Sequence, residues 1–372
     1  MSTLLPDTNR ILLGTGPSLT SPRVMRAMAA PTVSHLDPVM VALLDDVRSR
    51  LTRLFRAPEG SFACAVSGTG TAGMETVVSN LVGDRVRVLV VVNGYFGDRI
   101  AQMCERYGAA VRRLQVEWGS ACDPAALRQA LDAGPADVVA MVHAETSTGV
   151  RNPVRELAAM ARERDALTIV DAVSSFGGVP LDVDSWGIDA CYSCTQKCLG
   201  APSGLAPVVF GPRALARRVT CRSFYFDLQL LQDYWIRRKY HHTMSSTLVY
   251  ALDEALAMVE EEGLEARWAR HERNHRALVE GLAVRGLSLL PVAEDRLWTL
   301  NAVRVPDGVD EAAVRRELLE QFNIEIGAGL GPLAGKIWRV GLMGSSSASR
   351  LVVLLLGALD QVLATQGRKA LV

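Results

Sequence analysis

The run Arg87-Val88-Leu89-Val90-Val91-Val92-Asn93 decides the fold. Its five central side chains are all apolar. A strand with one wet face alternates polar and apolar residues, whereas a strand covered on both faces stays apolar throughout. The run therefore predicts a strand inside a parallel sheet with helices above and below. The same reading extends outward to residues 62–66, 137–143, 166–171, 189–193 and 205–210. Helical patterns lie among them at 73–81, 99–107, 124–133 and 153–164. Strand–helix alternation predicts an α/β domain.

The pattern changes near residue 250. A helical run rich in Glu, Arg and Ala covers 248–285, followed by short strands at 287–290, 297–305, 324–326 and 336–341 and helices at 310–321 and 349–365. This predicts a smaller α+β domain joined by a long helix. The division is an N-terminal segment (1–20), a large domain (21–255) and a small C-terminal domain (256–372). The chain has 372 residues, the length of about two domains. Forty basic and forty acidic side chains cancel, so no charge excess points to nucleic acid or an anionic membrane. The longest apolar stretch, 351–359, falls far short of the ~20 residues of a membrane span. Residues 1–6 carry no secretory pattern, and Ala370-Leu371-Val372 is not a peroxisomal address. Seven cysteines, an odd count, suggest reduced thiols in a cytoplasm. Cys191, Cys194 and Cys198 are close in sequence, but no second Cys/His pair stands at zinc-ligand spacing, so no metal is expected.

Three stretches carry chemistry. Ser67-Gly68-Thr69-Gly70-Thr71-Ala72-Gly73 follows a strand and opens a helix, where backbone N–H groups bind phosphate. Gly68, Gly70 and Gly73 match a dinucleotide pattern, but the next strand ends in Asn93 rather than in the acidic residue a ribose needs. A structural turn and another kind of phosphate cradle remain as readings. Asp171 closes a buried strand and is either a helix N-cap or a carboxylate for a cationic ring nitrogen. Lys197 follows another buried strand and is either a surface lysine or a desolvated amine able to form an imine. Cradle, Asp171 and Lys197 together suit pyridoxal 5′-phosphate: helix N-terminus on phosphate, carboxylate on ring nitrogen, amine on aldehyde. His241-His242 invites a metal reading, but no third ligand is suggested.

The ordered motifs SGTGTAGME (67–75), NGYFGDR (93–99), HAETSTG (143–149), VDAVSSFGG (170–178), TQKCLGAPSGLAP (195–207), YHHT (240–243), EEGLEARWARH (261–271) and GKIWRVGLMG (335–344) resemble a class V, fold-type I pyridoxal-phosphate aminotransferase. The resemblance is strongest to the alanine–glyoxylate/serine–pyruvate branch. It implies a large domain with a mostly parallel seven-stranded sheet, a small α+β C-terminal domain and a homodimer with a shared active site. It implies that Lys197 bonds the cofactor and shuttles a proton, that Asp171 pairs with the ring nitrogen and that Phe96 stacks on the ring. Ser67, Gly68, Thr69 and Gln196 would hold the phosphate, with Tyr240 and Thr243 reaching it from the partner subunit. Thr146 would lie near the ring oxygen, Arg339 would take the substrate carboxylate, and the stretch around His35 would line the substrate pocket. Read without the resemblance, Phe96 is ordinary core, and Arg339 in Trp338-Arg339-Val340 is a solvated residue of an alternating strand.

A single carboxylate-binding arginine implies a small donor, alanine or serine, and glyoxylate or pyruvate as acceptor. Desulfurases of this class resemble one another in a histidine over the ring and another before the lysine, where this chain has Phe96 and Gln196. Ureidoglycine–glyoxylate aminotransferases share APSG (201–204) and YFDL (225–228) but carry Gln and Asn where His35 and Tyr240 stand. Pyridoxamine–pyruvate aminotransferase resembles the chain in VDAVSSFGG and KCLGAP but lacks a phosphate site. Met244-Ser245-Ser246-Thr247, Ser203, Trp298 and Val39-Met40 depart from the branch pattern, which keeps a specialised biosynthetic donor as an alternative. A non-catalytic binding domain would be expected to lose the lysine, and Lys197 is present.

Overall fold

A computed structural model describes residues 10–366 of the chain. The readings of residues 1–6 and of Ala370-Leu371-Val372 lie outside the described residues. The first strand, β1 (Ile11–Leu12), leads to α1 (Pro22–Met28) and α2 (Pro38–Leu54). Alternation then begins with β2 (Phe62–Gly68), α3 (Gly70–Leu81), β3 (Arg87–Val92), α4 (Tyr95–Arg106), β4 (Ala110–Gln115), α5 (Pro124–Asp132) and β5 (Val138–Val142). A short hairpin, β6 (Ala144–Glu145) and β7 (Val150–Arg151), precedes α6 (Val154–Glu163), β8 (Leu167–Asp171), β9 (Ala190–Tyr192) and β10 (Gly204–Phe210). Four helices follow: α7 (Pro212–Ala216), α8 (Leu228–Arg237), α9 (Ser246–Glu262) and α10 (Leu264–Val284). The chain continues through β11 (Leu300–Arg304), α11 (Glu311–Phe322), β12 (Ile324–Glu325), β13 (Gly327–Ala328), β14 (Ile337–Gly341) and α12 (Ser349–Thr365).

The large sheet has seven strands in the order β2-β10-β9-β8-β5-β3-β4. Only β10 runs antiparallel to its neighbours. Every residue of β5, β8 and β9 is buried, as both-face coverage requires. Helices on the two faces complete an α/β sandwich, and the order places β8 at its centre. The carboxyl ends of the parallel strands, where such sheets bind ligands, therefore converge near Asp171.

The sequence pattern missed β4. This edge strand carries Arg112 and Arg113 and is only partly buried, and charge is a usual way to protect an edge. Arg112 donates to Ala130 O at 2.9 Å and Gly134 O at 2.7 Å, while Arg113 pairs with Asp98 and Glu105. The single long helix expected over 248–285 is two helices. They meet at Gly263, whose φ of +78° suits glycine and breaks the ladder. The strand expected at 287–290 reduces to one bridge, Leu289 to Val303.

The smaller sheet, β11-β14-β13, is antiparallel and central in β14. Leu278, Val314, Leu318, Trp338, Val340, Leu355 and Leu359 form its core with α10, α11 and α12. Trp338 is buried, and its Nε1 donates to Glu311 O at 3.1 Å. The N-terminal strand is stitched to this sheet's neighbourhood. β1 pairs in parallel with β12, and Gly341 N donates to Leu13 O at 2.7 Å. No helix among the described residues is long and apolar enough to cross a membrane.

Candidate active site

Asp171 ends the central strand and is 2% exposed. Its Oδ1 accepts from Val173 N at 2.8 Å, and its Oδ2 accepts from the Tyr192 hydroxyl at 2.9 Å. Burial nevertheless pushes the carboxyl up to about 7. Two hydrogen bonds do not replace the water that this carboxylate has lost. A cation beside it would restore the charged form.

Lys197 lies beyond β9 in a π-helical turn over Thr195–Leu199 and departs from helical dihedrals, with φ −107° and ψ −121°. Its Nζ donates to the Thr15 carbonyl. Burial lowers the ammonium pKa, and Arg339 adds to that effect, so the neutral amine is easier to reach. The Gly14–Ser18 stretch closes over this turn. Gly16 has φ +106°, and a Cβ there would sit 2.7 Å from Lys197 Nζ, so the backbone and the lysine nitrogen are in near contact.

The β6–β7 hairpin carries Thr146, whose Oγ1 is 2.6 Å from Ser174 Oγ. Arg339, on β14, is 6% exposed. The solvated alternative for it is excluded, because β14 is covered on both faces and all five of its residues are buried. Arg339 Nε donates to Ala328 O at 2.6 Å, and Nη1 donates to Thr146 O at 3.2 Å. No carboxylate pairs with it among the described residues. Burial lowers its pKa to about 10, which leaves it cationic at neutral pH.

Phe96 stands at the start of α4, partly buried against the large core. Glu145 fixes that helix start: it accepts from Phe96 N at 3.2 Å, Gly97 N at 3.1 Å and the Ser147 hydroxyl at 2.5 Å. Glu145 is fully buried, and burial raises its pKa. Its charge acts on both Asp171 and Arg339.

The helix expected from Gly73 begins at Gly70, with Thr69 as an N-cap whose side chain makes no capping bond. The first amides of a helix have no partner inside it. Here they are those of Gly70 and Thr71, inside the quoted cradle stretch but outside the set Ser67, Gly68, Thr69 and Gln196 expected to hold the phosphate. Gly70 packs against Val173 and Cys194, between the Asp171 loop and the Lys197 turn. Gly68 ends β2. Ser67, also in β2, has its Oγ 3.0 Å from His242 Nε2. Gln196 is half-buried beside Lys197, and its Oε1 has no hydrogen-bond partner.

The structure thus gathers Asp171, Lys197, Thr146 and Arg339 with the start of α3. Tyr240 and Thr243 are exposed in the single chain and make no hydrogen bond to that group among the described residues. His35 packs its ring 5.3 Å from the Tyr240 ring. His241 and His242 diverge: His241 Nε2 lies 3.0 Å from Tyr225 O, and the two imidazole planes stand at 89°. Sequence reasoning also missed Tyr192, Glu145 and the Thr15–Ser18 wall. A polar pair inside HAETSTG and the glycines of Gly14-Thr15-Gly16-Pro17-Ser18 were the available signals.

Two departures from the branch pattern have structural roles outside this group. The Trp298 ring lies 4.9 Å from the Arg151 guanidinium and packs beside Ala144, Val179 and Leu297. Met244 is buried in the core, and Ser245 N-caps α9.

A family model described as "Aminotransferase class-V" matches residues 12–341. The (S)-ureidoglycine–glyoxylate transaminase of Bacillus subtilis is 38% identical over 377 residues, covering 95% of this chain and 90% of that protein. The alanine–glyoxylate aminotransferase of Drosophila melanogaster is 35% identical over 365 residues, covering 95% and 92%. The crystal structure of an alanine–glyoxylate aminotransferase from Nostoc sp. superposes with a TM-score of 0.94 at 45% identity, covering 98% of this chain and 97% of that one.

Proposed function

The chain belongs to the class-V aminotransferases, and from that premise we propose that it moves an amino group from alanine or serine to glyoxylate or pyruvate. It is an enzyme, and its cofactor is pyridoxal 5′-phosphate. One observation carries the substrate reading: Arg339, unlike the other buried arginine Arg267, spends two donors on carbonyls and has no carboxylate partner among the described residues. A cation so placed suits one substrate carboxylate. A pocket of this kind separates a methyl from a hydroxymethyl group only weakly, so alanine and serine are both donors.

The donor set fits the cofactor. Asp171 is a buried carboxyl that lacks a cation, which a protonated ring nitrogen supplies. The α3 amides at Gly70 and Thr71, with Thr69, Gln196 and the Ser67–Gly68 end of β2, suit a phosphate. Phe96 offers the aromatic face and Thr146 a hydroxyl. Bound there, the cofactor supplies an electron sink for the pair left when the substrate Cα–H proton departs. Lys197 Nζ would hold the cofactor through its aldehyde and would also serve as the base that moves that proton. Arg339 fixes the substrate carboxylate, and the Thr15–Ser18 wall keeps water from the amine.

The proposed active unit is a homodimer in a reducing cytoplasm. Tyr240 is 65% exposed and Phe224 is 74% exposed, and Leu36 and Val39 add further exposed apolar surface. Exposed apolar side chains of this size suit an interface. A second copy would cover it and would bring Tyr240 and Thr243 to the partner's phosphate. All seven cysteines are free, which supports the compartment. Sedimentation at assay concentration is expected to show a dimer; a fully active monomer would refute the shared site.

The decisive experiment is an absorbance spectrum of the purified protein. A yellow holoenzyme is expected to bleach with L-alanine or L-serine and to recover with glyoxylate or pyruvate. A colour that ignores both donors would overturn the substrate reading and leave the specialised or ureidoglycine-type donor in its place.

Asp171 adds a prediction about pH. An unfolded Asp ionises near 4, whereas the folded carboxyl waits until about 7. Between those values the unfolded chain sheds a proton that the folded, cofactor-free chain retains. The stabilising contribution is complete below pH ~4 and declines by roughly 4 kcal/mol as pH rises through 7. Asp171→Asn is expected to flatten this decline. Melting curves of both cofactor-free proteins from pH 5 to 8 check it, and identical slopes would sink the assignment.

A further inference from the structure

Three consecutive carbonyls of the Lys197 turn are held from outside it. Ser18 N donates to Gln196 O at 2.8 Å, and Ser18 Oγ donates to Lys197 O at 2.6 Å. Arg267 Nη2 donates to Cys198 O at 2.6 Å. Within the turn, Gly200 N reaches Lys197 O at 3.1 Å. A short helical turn leaves its last carbonyls without partners of its own. The peptide planes on both sides of Lys197 are therefore oriented by groups far away in sequence.

Arg267 is 5% exposed and does more than cap the turn. Its Nε donates to Gly177 O at 3.0 Å, in the segment that follows Asp171. Its Nη1 donates to Glu262 Oε2 at 2.7 Å. One planar guanidinium thus spans the Asp171 segment, the Lys197 turn and the end of α9. A lysine cannot reproduce that three-way fork. Arg270 shares the same Glu262 but faces the other way: its Nη1 donates to Gly344 O at 3.0 Å and Ser347 O at 2.6 Å, and it touches no carbonyl of the turn.

We propose that Ser18 and Arg267 are positioning residues for the reaction, holding the carbonyls that flank Lys197 and so fixing its amine relative to Asp171. The proposal rests on Lys197 being the reacting amine.

The test compares holoenzymes of Ser18→Ala, Arg267→Lys, Arg270→Lys and Lys197→Ala with the native protein. The readouts are kcat, KM for the amino donor, the pH midpoint of the visible absorbance band and the melting temperature. A small displacement of a reacting group lowers rate steeply, so kcat is expected to fall about 10- to 100-fold in Ser18→Ala and Arg267→Lys. KM should change little, because Arg339 is untouched, and the band midpoint should move. Arg270→Lys should lower the melting temperature as much as Arg267→Lys while keeping the native band midpoint. Native kcat and midpoint in Ser18→Ala and Arg267→Lys would overturn the proposal. So would an Arg270→Lys enzyme that shifts both readouts as far as Arg267→Lys. If Arg267→Lys does not fold, Ser18→Ala decides alone. A visible band that survives unchanged in Lys197→Ala would bring down the reading beneath, separately from the positioning claim.

Discussion

Turnover in Lys197→Ala is expected to fall by about ten-thousandfold, the scale on which a residue that both bonds and moves protons is lost. No neighbour can replace it. Cys194 and Cys198 flank it, but burial pushes both thiols up to about 12, so neither is a base at neutral pH. Tyr192 is likewise driven well above its usual range by burial and is already bonded to Asp171. The variant should still bind pyridoxal phosphate, because the α3 amides, Asp171 and Phe96 remain. Single-turnover kinetics and equilibrium dialysis separate the two effects. Undiminished multiple turnover would sink the mechanism.

Arg339→Ala carries the second large effect, a loss of about 2–5 kcal/mol in kcat/KM, the cost of leaving a desolvated charge unpaired. In this variant the unpaired charge is the substrate's carboxylate. The Ala328 and Thr146 carbonyls also lose their donors, and Thr146 keeps only its hydroxyl contact with Ser174. Arg339→Lys should recover only part of the loss, since a point charge cannot grip a carboxylate with two parallel bonds. Half-reaction rates with alanine, with and without the substitution, are the measurement. Unchanged rates would rule out the carboxylate role.

The sheet was legible because strands buried on both faces reveal themselves as unbroken apolar runs, as residues 88–92 do. The reading failed at β4, where edge position and two arginines erase that signal. It failed again at Gly263, where composition favours helix on both sides and one backbone angle separates them. Asp171 and Lys197 were legible as polar residues closing apolar runs. Arg339 was ambiguous: its strand alternates, and only its central place in the small sheet shows that both faces are covered. Glu145 and the Thr15–Ser18 wall were not legible. Their roles come from contacts with residues far along the chain, which local periodicity does not encode. The phosphate end shows the usual boundary error: starting α3 three residues earlier moves the free amides to Gly70 and Thr71.

The pairing of Ile11 with Ile324 has a consequence for how the protein is made. During synthesis β1 has no β12 to pair with until the ribosome has passed residue 324. Closing so large a loop is slow even though its entropy grows only logarithmically with length. The wall over Lys197 hangs from that strand, so the amine is expected to stay open to solvent until β12 has been made. A nascent chain can build its seven-stranded sheet and still be unable to shield its lysine. Catalytic competence therefore waits on β12, however early the rest of the site is built.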